Sequence, residues 1–107
     1  MIYLIDISLH NKDDGETHTY EGKHVIPTKT AMYELDRIDV TLHEAITILH
    51  HGFIVRKRKK NTIEKGAMRG SKIINIVAVN SGTHYKIIHA GTFTYTKKFK
   101  DKVHHES

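Results

Sequence analysis

The chain contains no cysteine. Disulfides, thiolate metal sites and thiol nucleophiles are therefore excluded, so the fold must stand on packing, and the lack also fits a reducing compartment. No apolar run approaches the length of a bilayer span. Met1 to Leu9 carries Asp6 in place of a basic lead and a long apolar region, so no signal peptide is read. These absences lead to the expectation of a soluble, cytoplasmic protein with no membrane partner. Internal repeats and linkers are also missing. The 107 residues then make a single domain, 1–107, large enough to bury a core but small enough that every element must contribute.

What is abundant is positive charge and histidine. The net charge is +5 with a pI near 9.5. The excess is concentrated in Arg56 to Lys60 and in Lys97 to Lys102, whereas Met1 to Arg37 has no such surplus, and that asymmetry favours an anionic partner. Ten histidines are scattered along the chain. A metal site is not read from them, and no cofactor is expected. His43 and His50 lie two helical turns apart, Glu44 completes no H-E-x-x-H, and His84 and His89 fall on opposite faces of a regular strand. A histidine-rich surface gains charge as pH falls towards about 6, which would tighten a phosphate contact.

Thr41 to Lys60, TLHEAITILHHGFIVRKRKK, carries the clearest pattern. Thr41 and Glu44 have capping-box spacing. Leu42, Ala45, Ile46 and Leu49 follow at i, i+3, i+4 and i+7, with His43, Glu44, Thr47, His50 and His51 opposite. Gly52 is expected to supply a left-handed exit. Phe53, Ile54 and Val55 then begin a strand that Arg56, Lys57, Arg58, Lys59 and Lys60 end, so the cations must leave the sheet or present an edge.

Before this stretch, Ile2 to Leu9 alternates as a strand, Asn11 to Glu16 is a turn cluster around Asp14-Gly15, and Thr17 to Ile26 is a return strand. Gly22 marks a bulge or a second bend in it. Pro27 ends that strand and Thr28 caps a helix from Lys29 to about Arg37. The two helices form either an αα-corner on a sheet or a helix-turn-helix. After it, Asn61 to Ser71 reads as a polar, mobile loop because of Gly66 and Gly70. Lys72 to Val79 is apolar on both faces except Asn75 and should be the central strand. Asn80-Ser81-Gly82 turns into His84 to Ala90, Gly91 allows a bend, and Thr92 to Thr96 is a last strand. Lys97 to Ser107 is charged and without periodicity. The expected architecture is α+β: two short helices packed on a twisted, mainly antiparallel sheet of five or six strands, with an N-terminal hairpin.

Two constellations bear on function. The run Arg56, Lys57, Arg58, Lys59 and Lys60, with Arg69, suits phosphate, although lysines on an edge strand also discourage aggregation. His84, Tyr85, His89 and Tyr95, with the arginines, are residue types that a metal-independent ribonuclease uses as base, acid and phosphorane-stabilising cation. Buried tyrosine or histidine on an antiparallel sheet is more often a satisfied core group.

Thr30 to Tyr85 contains TAMYELDRIDVTLHEAITILHHG, then the basic run, a Gly-rich segment and IINIVAVNSGTHY. It resembles a small uncharacterised prokaryotic family near the RelE and BrnT toxins. The matching features are Ala31, Arg37, the capped E-A-I-x-I-L-x-x-G helix and the strand pair, about half the chain. Similar members begin the first helix with His-Ala; Thr30 stands in that histidine's place. The resemblance implies two helices against an antiparallel sheet, metal-independent RNA cleavage by basic and Tyr or His residues on the sheet, RNA in preference to DNA, and an acidic antitoxin-like protein partner. The alternatives are a non-catalytic DNA- or RNA-binding module, either sheet-based or a helix-turn-helix with the basic strand as wing, and a protein-interaction domain whose basic surface only solubilises it.

Overall fold

A computed structural model describes residues 18–94. The expected strand Ile2 to Leu9, the Asp14-Gly15 turn, Tyr95 and the basic tail from Lys97 lie outside the described residues. Six strands and two helices follow in order: β1 Thr19–Tyr20, β2 Lys23–Pro27, α1 Lys29–Arg37, α2 Leu42–His51, β3 Phe53–Ile54, β4 Thr62–Arg69, β5 Lys72–Asn80 and β6 His84–Thr94. They build one sheet in the order β1-β2-β6-β5-β4-β3. Every pairing is antiparallel except β2 with β6, so the sheet is mixed. The α+β layering is as expected from the pattern. No helix among the described residues is long and apolar enough to cross a membrane.

Local chemistry explains most element boundaries. Gly22 marks a bend: Glu21 and Gly22 both take positive φ, 55° and 80°, the two-residue type I′ loop whose twist suits a hairpin. Thr28 accepts the Ala31 N–H at 3.0 Å and starts α1. That helix closes in a Schellman arrangement, with Val40 N–H on Leu35 O at 2.9 Å, Asp39 N–H on Asp36 O at 3.1 Å, and Asp39 left-handed at φ 60°. Thr41 and Glu44 make both bonds of a capping box on α2. Ala45, Ile46 and Leu49 are buried as expected, and Ile48 joins them. Both helices lie on one face of the sheet, where Val25, Ala31, Leu35, Val40, Ile46, Ile74, Ile76 and Ile87 share a core. The αα-corner is therefore the arrangement adopted, because α2 spends its apolar face on the sheet.

Four expectations require correction. Gly52 is not left-handed; it has φ −76° and ψ 174°. A side chain there would instead strike the Gly66 carbonyl and the Ile48 carbonyl, the latter at 2.6 Å, so close approach selects the glycine. The cations Arg56 to Lys60 are not strand residues, because β3 stops at Ile54 and they occupy the β3–β4 connection. Asn61 to Ser71 is not a mobile loop: Thr62–Arg69 pairs with β5 along its full length, and Gly66 sits where a Cβ would lie 2.9 Å from Val55 Cγ2 and 3.1 Å from Ile73 Cγ2. Only Gly70-Ser71 forms the turn, with Gly70 at φ 62°. Gly91 bends nothing, since β6 runs through it; the irregularity is a bulge at Ile88, where the register with β5 shifts between Val77 and Ala78. Lys72–Asn80 is central, as its burial pattern requires.

Candidate nucleic-acid interface

The β3–β4 connection holds its shape by backbone bonds at both ends. Val55 is buried and its N–H continues the ladder onto Glu64 O at 3.0 Å. Thr62 N–H closes onto Lys59 O at 3.0 Å with Asn61 at φ 70°, the type II arrangement that requires a positive φ in the third position. Asn61 O in turn accepts the Asn80 N–H at 2.7 Å, tying the turn to β5. Arg56, Lys57, Arg58, Lys59 and Lys60 are all exposed on this framework.

Beneath the loop lies Glu64, whose side chain is 1% exposed. A carboxylate removed from water needs compensation on both oxygens. Oε1 meets Arg56 Nε at 3.1 Å and Arg58 Nη1 at 3.0 Å, while Oε2 accepts from Asn75 Nδ2 at 2.7 Å. The arginine side chains remain 58% and 33% exposed. Arg56 makes its contact through Nε. Lys57, Lys59 and Lys60 have no carboxylate partner among the described residues. The run thus divides into two arginines oriented from below and three lysines directed to solvent.

Comparison with family models, with curated proteins and with solved structures returns no match for this chain.

The other candidates are distributed rather than gathered. Arg69 is at the far end of the sheet, donating from Nη1 to Ile38 O at 2.8 Å and from Nη2 to Asp39 O at 3.1 Å, where it caps the C-terminal carbonyls of α1. Register places it level with Lys72, and Tyr85 level with Asn80, about 27 Å away at the rise of a strand. Tyr85 is buried in the core, its ring edge-on to Tyr20 at 5.0 Å between centroids. His84 sits at the β5–β6 turn, with Thr83 Oγ1 3.0 Å from its Nδ1. His89 follows the bulge and is exposed, its Nδ1 3.4 Å from Glu34 Oε1, and that same oxygen accepts the Ala90 N–H at 2.9 Å. Among the described residues no three His, Cys, Asp or Glu side chains stand close enough together to hold a metal ion.

Sequence reasoning misses Glu64 and Glu34. Glu64 lies inside the segment that reads as a loop; the alternation of Ile63, Lys65 and Ala67 against Glu64, Gly66 and Met68 is the signal available for it. Nothing in the sequence announces Glu34, because its role depends on a strand irregularity far along the chain, next to Ala90.

Proposed function

We propose that this protein is a nucleic-acid-binding module that holds phosphate through the β3–β4 loop. One observation carries the reading: five consecutive exposed cations stand on a connection whose backbone is pinned at both ends and whose arginines are aimed by a buried carboxylate. Preorganised guanidinium groups lose less freedom on meeting phosphate than unrestrained ones. A basic edge that served only to block aggregation would not require this substructure. The resemblance to the RelE-like group favours RNA over DNA as ligand, and it offers an acidic antitoxin-like segment as a competitor for the same loop.

The test is fluorescence anisotropy with labelled RNA at two salt concentrations. Replacing Lys57, Lys59 and Lys60 together with glutamine should weaken binding at least tenfold and flatten the salt dependence by about two log units per log unit on a single strand. Unchanged affinity would remove the reading.

A second reading, RelE-like metal-independent cleavage, is favoured by His89 alone among the candidates. An exposed imidazole whose Nδ1 faces an anchored carboxylate has the orientation a general base needs, with Nε2 left for substrate. RNA cleavage in EDTA that disappears in His89→Ala, with binding retained, would establish it.

A further inference from the structure

We infer that the cationic surface continues from the β3–β4 loop across the end of the sheet to β2, and that its ligand is a double helix held by the phosphates of both strands. This rests on the loop as the phosphate-binding element.

The register supplies the continuation. On the face turned away from the helices, Thr62 lies level with Val79, Val79 with Lys86, and Lys86 with Ile26. The assignment of face follows from burial, since Lys86 is exposed between the buried Tyr85 and Ile87, and Ile26 is exposed next to the buried Val25. One row on, His84 pairs with His24 on the same face. Lys86 and His24 are exposed and His84 is half-buried. The loop cations enter this surface from the other side, because Glu64, which holds Arg56 and Arg58 and accepts from Asn75, lies on that face together with Asn75.

Three strand spacings separate β4 from β2, about 14 Å, and the loop adds a further spacing towards β3. The strip is thus longer than a B-form major groove is wide, roughly 12 Å. Lys86 on β6 lies two spacings from β4 and three from β3, about 14 Å, with His24 one strand beyond it, so Lys86 and the loop lysines can meet phosphates on opposite sides of a groove, which a lone strand following the loop would not provide. Base reading has little support along the same strip. Apart from Arg56 and Arg58, which Glu64 holds at the loop, its exposed side chains are lysine, histidine and isoleucine. Phe53, Tyr20 and Tyr85 are buried, so none of them forms a stacking platform for single-stranded bases. Recognition of this kind is independent of sequence and dominated by counterion release.

The experiment uses the full chain and anisotropy against duplex RNA, duplex DNA and single-stranded RNA of one sequence. Wild type, Lys86→Gln and the triple glutamine variant at 57, 59 and 60 are compared over a salt series. The expected result is tighter binding of duplex than of single strand, and a three- to tenfold loss for Lys86→Gln on duplex with less than twofold on single strand. The log–log salt slope on duplex should fall by about 0.9 for this one lysine. The two duplex arms show whether A-form or B-form geometry fits the strip better. If Lys86→Gln binds duplex like wild type while the triple variant is weakened, the strip is overturned and the loop remains. If the triple variant is also unchanged, the loop itself fails as the binding element.

Discussion

Replacing Arg56 and Arg58 together with alanine would leave Glu64 as a buried carboxylate with Asn75 as its remaining described partner. An uncompensated buried charge of this kind costs about 3–5 kcal/mol. Relaxation of the truncated loop admits some water, so a value near 3 kcal/mol is expected, a large part of the roughly 5–15 kcal/mol available to a domain. Either single alanine variant should cost about 1 kcal/mol, because the surviving arginine still occupies Oε1; the pair is therefore strongly non-additive. Adding Glu64→Gln to the double variant removes the charge and should recover most of the loss. Glu64→Gln alone returns two partly exposed arginines to water and costs about 1–2 kcal/mol. Urea unfolding followed by far-ultraviolet circular dichroism measures the whole series against wild type. A double variant within about 0.5 kcal/mol of wild type, or one that Glu64→Gln fails to rescue, would refute the reasoning. The result also decides how binding is tested, because arginine substitutions would mix lost contacts with lost structure, whereas the lysines carry no such liability.

Asp39→Gly should raise stability by about 0.5 kcal/mol, since φ 60° is unfavourable for a residue with a Cβ, and thermal unfolding should shift upwards by about 2–4 °C. Arg69→Ala should cost about 1 kcal/mol by releasing the two carbonyls at the end of α1 while leaving nucleic-acid affinity within about twofold, which anisotropy and a melting curve report separately. Burial first, then the nearby Glu21 and Tyr85, push the Tyr20 hydroxyl above its ordinary value of 10.0. The folded protein therefore holds this proton more tightly than the unfolded chain, so the stabilisation is complete below pH 10.0 and is lost as pH rises through the higher folded value. Tyrosinate absorbance should show one late-titrating group in wild type that is missing in Tyr20→Phe, and an unchanged titration would refute the assignment.

The elements legible in the sequence are those written in side chains close along the chain. Thr28, Thr41 and Glu44 act within three residues of their partners, and the spacing of Ala45, Ile46 and Leu49 turns directly into a buried face. Strand β5 is legible because residues buried on both faces need no alternation. Strand β4 is not, since Gly66 reads as a breaker until Val55 and Ile73 are packed against it, and that is knowledge of other strands. The same limit applies to the site. Five adjacent cations are visible at once, but the carboxylate that orients two of them lies in a neighbouring strand, and the placement of Lys86 beside the loop depends on register across three strands. The bulge at Ile88 shifts the phase of β6, so alternation counted from His84 puts His89 on the face of Tyr85, although one is exposed and the other buried.

The parallel pairing of β2 with β6 has a consequence for how the chain acquires its structure. It joins His24 to His84 and Val25 to Tyr85, residues far apart in the chain, whereas β4, β5 and β6 are linked by short turns. Closing the long loop costs more entropy than closing the short ones, so the three-stranded meander is expected to form before β1–β2 docks, with amide protection in β5 preceding that in β2 during refolding. The partners of the apolar faces of α1 and α2 lie largely in strands that come after them in the chain. The described elements before β4 thus take most of their packing partners from strands that follow them in the chain.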